Sequence, residues 1–214
     1  IVRMPFEVRH MGSKYPIFSF DFTGAKRGVL PASYDYLRLE GRMQYRLNLP
    51  PIGYSQLMLE GGKIFGKVPY LLLKLHEGNG TYFYDRYAFS CMNFYEFSSD
   101  AWISFFYEHH FNGFLLGRVP LLKKLNWREV FVFKGVYGTL SARNDGSLPN
   151  TKAVMLFPVG MSSVEHPYLE TGFGIENIFR LLRVDCIWRL THHRAVPGLS
   201  IPTFTVNFSL NLKF

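Results

Sequence analysis

Glu108, His109 and His110 stand side by side in the run "EHH", the first place to look for proton transfer or metal binding. A zinc site of the His-Glu-x-x-His kind sets its two histidines one helical turn apart on one face. Adjacent histidines on an alternating segment point to opposite faces instead, so no shared metal is expected. The run "GFGIEN", residues 172–177, lacks the third glycine of a dinucleotide loop. Cys91 and Cys186 are the only two cysteines. They make no disulfide framework, and neither has the companion Cys or spaced His that a metal requires. No Ser-centred elbow or Cys-His pair stands out. The chain is therefore expected to hold no catalytic residue, metal or cofactor, and not to be an enzyme. What remains is charge set at every second position. Arg38, Glu40, Arg42 and Arg46 follow one such rule, and Arg183, Asp185 and Arg189 another. Side chains so placed form ion-pair networks, which hold surfaces together rather than make bonds.

Alternation of that kind belongs to β-strands. In "YLRLEGRMQYRLN", residues 36–48, the charged positions oppose Leu37, Leu39, Met43, Tyr45 and Leu47. The last residues, "FTVNFSLNLKF", are stricter: Phe204, Val206, Phe208, Leu210, Leu212 and Phe214 alternate with polar residues throughout. Similar patterns predict nine strands, at about 2–10, 15–24, 34–48, 53–65, 100–112, 127–140, 167–178, 182–192 and 203–214. The segment "WREVFVFKGVYGTL" is apolar on both faces, which leaves its facing open. Aromatic residues make up 17% of the chain, with 21 Phe, and apolar faces so bulky would overfill a small soluble barrel. Turned toward lipid, they need no packing partner. Most predicted strands are twice the usual soluble length. Eleven residues at about 3.3 Å each, tilted near 45°, rise roughly 25 Å, the height of an outer-membrane apolar band.

The expected fold is therefore all-β: a transmembrane antiparallel barrel, with residues 1–214 forming the C-terminal part of one barrel domain. Short turns alternate with long connections at 24–33, 66–99 and 141–166, the habit of bacterial outer-membrane barrels. That habit puts the C-terminus in the periplasm and loop 66–99 outside, either over the rim or folded into the lumen. An odd strand count suggests further strands beyond these nine. Arg38, Glu40, Arg42, Arg46, Arg183 and Arg189 should then face the lumen. The link "GFLLGRVPLLKKLNWR" is either an amphipathic piece on the inner leaflet or a long ordered turn. The net charge of +8 is spread through faces and loops, so no nucleic-acid partner is expected. Lys26, Arg27, His192, His193 and Arg194 suit contact with anionic lipid. A soluble sandwich with its apolar face inward is the competing architecture.

The run "LETGFGIENIFRLLRVDCIWRL" resembles the penultimate hairpin of the Omp85 superfamily, with Gly172, Gly174, a tight turn at residues 177–181, Arg183 and an inward Asp185. The runs "EGNGTYFYDRYAFSCMNFYEF", "EHHFNGF" and "RVPLLKKLNWREV" resemble uncharacterised outer-membrane proteins of Bacteroidota that carry a carboxypeptidase-regulatory-like domain ahead of a C-terminal barrel. The Omp85 resemblance implies about nine C-terminal strands of a roughly sixteen-stranded barrel. It also implies a loop-to-lumen lock, with Arg86 of "YDRYAF" paired to inward acids, Glu108 or Asp185. Two departures stand against this pattern: Tyr87 occupies a glycine position, and Lys134 a position where the family often has an acid. The implied function is assembly, insertion or translocation of outer-membrane or surface proteins. The implied partners are outer-membrane lipid, lipopolysaccharide, and other outer-membrane or periplasmic proteins. A solute-passing porin or transporter and a structural barrel subunit of a larger complex are the alternatives. Phe204–Phe214 resembles the C-terminal signal that barrel-assembly machinery reads in its clients.

Overall fold

A computed structural model describes residues 2–4, 7–9, 15–28, 33–147, 153–164, 166–193 and 200–210. Short strands β1 (Val2–Met4) and β2 (Glu7–Arg9) pair with each other and no further. The body is an eight-stranded sheet of antiparallel neighbours. It is built from β3 (Ile17–Ala25), β4 (Tyr36–Asn48), β5 (Tyr54–Gly66), β8 (Ala101–His110), β9 (Arg128–Thr139), β11 (Tyr168–Ile178), β12 (Leu182–Arg189) and β13 (Phe204–Leu210). Between them lie β6 (Lys74–Leu75), β7 (Phe97–Ser99) and β10 (Ser162–Ser163), which make a separate three-stranded patch. The only α-helical turn among the described residues is α1 (Pro120–Lys123).

One expectation is corrected here. The predicted first strand, 2–10, is not a ninth member of the sheet. Val2 pairs with Arg9 and Met4 with Glu7, so the chain doubles back within it. Pro5 lies between the two halves and has no N–H to continue a ladder. Among the described residues the eight-stranded sheet is open, with β3 and β13 at its edges. Leu212 and Phe214 of the tail lie outside the described residues, as does Arg194.

The register puts all the alternating charge on one face. Arg42 lies opposite Glu60, Gln56 opposite Glu108, Lys134 opposite Glu170, and Glu170 opposite Arg189. That face is the buried one. Residues 67–99 and 153–164 cover it and bring a core with them: Phe89, Met92, Phe97 and Val164 pack on Met58, Phe106, Val136 and Tyr168. A second cluster joins Val68 and Leu73 to Ile64 and Trp102. β9, ambiguous by pattern, turns Val130, Val132, Lys134 and Val136 toward the cover. The other face carries Phe18, Phe20, Phe22, Ile103, Phe173, Trp188, Phe204, Phe208 and Leu210, all exposed. The burial order of a water-soluble sheet is thus inverted.

Short connections gather at one end. The turn after β4 needs Gly53, with φ +102°, because a Cβ there would come 1.8 Å from the His110 carbonyl oxygen. The turn between β11 and β12 runs through left-handed Asn177, Phe179 and Arg180.

Candidate functional site

Residues 67–99 are fastened to the sheet by charge, and Glu108 is the centre of the fastening. It sits in β8, 1% exposed. Its carboxylate accepts from Arg86 Nε at 2.7 Å and from Arg183 Nη2 at 3.2 Å, and also from the Tyr84 hydroxyl. Arg183 then forks onto Asp185, with Nε and Nη2 each donating at 2.7 Å. Two parallel bonds to one carboxylate fix geometry as well as charge. The Tyr84 ring lies between two cations, 4.4 Å from Arg183 Cζ and 4.5 Å from Lys134 Nζ. Burial and the neighbouring Glu108 raise the Tyr84 phenol well above its ordinary pKa, so it stays a donor.

Glycines make room for this. A Cβ on Gly174 would lie 2.2 Å from Asp185 Oδ1, and one on Gly172 2.8 Å from Ile187 Cγ1. Gly-x-Gly in β11 is therefore the space into which the inward side chains of β12 lean.

Four further anchors surround the centre. Lys134 Nζ donates to the carbonyls of Asp85 and Ala88 at 2.7 and 2.6 Å. Glu170 accepts the backbone N–H groups of Ser90 and Cys91 at 2.8 and 2.7 Å, and the Tyr168 hydroxyl at 2.6 Å. Arg189 donates to Glu96 at 2.5 Å and to the Cys91 and His192 carbonyls. Lys74 reaches Glu60 at 2.5 Å, and Glu60 also holds Arg42 at 2.7 Å. Charge buried this deeply is tolerated when each group is paired and hydrogen-bonded.

The residues singled out by sequence fall as follows. Arg86, Glu108 and Asp185 belong to one cluster, with Arg183 as the bridge between the two acids. Arg38 pairs with Glu40 at 2.7 Å, while Arg46 lies over the Tyr54 ring at 3.9 Å. Arg38, Glu40, Arg42, Arg46, Arg183 and Arg189 all share the covered face. Lys134, the departure from the acid pattern, reaches backbone carbonyls of the loop instead of an arginine. Sequence reasoning passed over Glu60, Lys74, Glu96 and Tyr84. Glu60 shows the same period-two signal as its neighbours. Lys74, Glu96 and Tyr84 sit in the loop, where no period marks a facing.

His109 and His110 do point to opposite faces. His110 Nδ1 lies 3.2 Å from Glu176, and its ring stacks on Tyr54 at 4.5 Å. His109 Nδ1 lies 2.8 Å from Ser55 Oγ, and Nε2 lies 2.9 Å from the Ile52 carbonyl. The carbonyl fixes the proton on Nε2, so Nδ1 accepts from Ser55. Ser55 is buried and shares its hydroxyl with Tyr107, so the pair serves to tie the turn to the sheet. His76, held against Ser99 Oγ at 2.9 Å, is pushed down to about 3 by burial and by Lys74. Burial and the neighbouring Glu170 push the Cys91 thiol up to about 12, so it stays protonated at neutral pH. Among the described residues, no group of three His, Cys, Asp or Glu is placed to hold a metal. The arrangement binds a loop, and it does so with acids and bases that hold each other's charge.

A family model described as "Family of unknown function (DUF5686) C-terminal domain" matches residues 3–142, well over half of the chain. The match takes in most of β1, strands β2 to β9 and the whole of the fastened loop. No curated protein matches the chain.

Proposed function

We propose that this chain, which belongs to the DUF5686 family, forms part of the wall of an outer-membrane β-barrel, with residues 67–99 lying inside the lumen. The observation that carries the proposal is the inverted burial. Phe20 and Phe22 are 69% and 74% exposed, while Glu108 and Asp185 are 1% and 0% exposed. An apolar face this wide is costly in water and marks a partner or a membrane. Lipid on one side and a loop-filled lumen on the other satisfies both faces. The long connections then lie outside, the short turns and the C-terminus are periplasmic, and strands beyond β3 continue the barrel toward β13, whose outer edge is held here by backbone bonds of Phe208 to Tyr82 and Tyr84.

Within that barrel we propose work in assembly, insertion or translocation of outer-membrane or surface proteins, as in the Omp85 superfamily that the β11–β12 hairpin resembles. Supporting this are the loop held on the lumen face by Arg86, and Gly172 and Gly174 beside Asp185. Lipopolysaccharide and other outer-membrane or periplasmic proteins are the partners this implies. The test is reconstitution of the full-length protein into vesicles, followed by the folding rate of an unfolded outer-membrane client. Faster client folding with the wild type than with empty vesicles is expected. Steady single-channel conductance without any effect on client folding would favour a solute-passing barrel and overturn the assembly role.

A further inference from the structure

The charge that fastens the loop is balanced at its centre and unbalanced at one end. There, beside the short turns, a cavity of about 520 Å³ opens between the ends of β4, β5, β8, β9, β11 and β12. Arg46, Arg86, Arg128, Arg180 and Arg183 all line it. We infer that this cavity is a binding site for a doubly charged phosphoryl anion, either free phosphate or a phosphomonoester headgroup.

The charge balance sets the ligand's charge. Arg86 and Arg183 are held by Glu108 and Asp185. Arg128 lies opposite Glu176 in the β9–β11 ladder. Five guanidinium groups, with the His110 imidazole beside them, thus face three carboxylates, an excess of at least two positive charges. Arg46, Arg128 and Arg180 make no direct ion pair among the described residues, and of the three only Arg128 has a carboxylate, Glu176, opposite it in the ladder. At neutral pH a phosphomonoester carries a charge between about −1.5 and −2, which matches. Guanidinium forks are the side chains best shaped for such oxygens.

The walls are also held in place in advance. Arg46 stacks on Tyr54, Tyr54 stacks on His110 with an interplanar angle of 11°, and His110 leans on Glu176 at 3.2 Å. Arg180 stands in the left-handed turn that follows Asn177. A neighbouring groove, which adds Lys123, shares Arg128 and Arg180 with the cavity and widens the basic mouth. A phosphate entering here meets Arg46, Arg86 and Arg183 already held in place, so the ordering cost falls chiefly on exposed Arg180.

The inference stands apart from the membrane proposal, since it rests on the covered face alone. The test uses the full-length protein in neutral detergent. Calorimetry with inorganic phosphate, at constant ionic strength against chloride, forms one arm. Native mass spectrometry, counting retained phosphatidate against phosphatidylcholine, forms the other. Arg46→Gln and Arg180→Gln break no ion pair, so both variants should fold, which their unfolding temperatures will check. Phosphate binding weakened about tenfold or more in each variant supports a free-phosphate site. Selective retention of phosphatidate, lost in both variants and with no binding of phosphate, supports a headgroup site. Binding in neither arm, or binding that both variants leave unchanged, overturns the inference.

Discussion

At the scale of single residues, Glu108 does more than any other side chain to hold the loop. It is fully buried and answers two arginines and a tyrosine. Glu108→Gln keeps the shape and removes the charge, leaving buried Arg183 short of a partner. Breaking one side of a buried ion pair costs about 3–5 kcal/mol, so thermal unfolding in detergent should show a large fall in Tm. Arg86→Gln should cost only about 1 kcal/mol, because the Arg86 side chain is 37% exposed and water screens what it loses. Equal effects of the two substitutions would contradict the central place given to Glu108. His76 supplies a pH signal. Unfolded, it titrates near about 6.5; folded, near about 3. Between those values the unfolded chain takes up a proton that the fold refuses. The stabilisation is complete above about pH 6.5 and falls by about 1.4 kcal/mol per pH unit toward pH 3. His76→Gln removes that slope. The variant should therefore gain on the wild type as the pH drops from 7 to 4, whereas a constant difference in Tm would speak against it.

At the scale of strands, alternation was enough to place Arg38, Glu40, Arg42, Arg46, Arg183 and Arg189 on one face. A period of two leaves a strand no other choice once its pairing is set. Gly172 and Gly174 were legible as a pattern, but their purpose was not. That purpose depends on Asp185 and Ile187 crossing from the next strand, a contact set by register rather than by spacing. Gly174→Ala should push Asp185 off Arg183 and cost about 1–3 kcal/mol as an overpacked site. A gentler cost at Gly24, where a Cβ would meet nothing nearer than 3.6 Å, is the matching control. The doubling back at 2–10 was missed because apolar alternation continues across Pro5, although the ladder cannot. The loop anchors were hidden for a different reason. Lys74–Glu60 and Arg189–Glu96 join residues far apart in sequence, and no local period reports on them.

Taken whole, the molecule is a sheet with two unlike sides. Its polar side is cored by Phe89, Met92, Phe97 and Tyr168 and covered by its own loop. Its apolar side is bare. The aromatic alternation made this inversion readable from the sequence, whereas the core beneath the loop was not, since Met58, Phe106 and Val136 share positions with charged residues. The central claim is that the bare side meets lipid. The most direct test is collision of spin labels with quenchers in reconstituted vesicles, with Cys91 and Cys186 replaced by serine. Labels at Phe20→Cys and Phe173→Cys should collide with oxygen dissolved in the bilayer far more often than with a water-soluble nickel chelate, and a label at Gln44→Cys should not. Free access of the nickel chelate to positions 20 and 173, equal to that at an exposed loop residue such as Arg143, would contradict it.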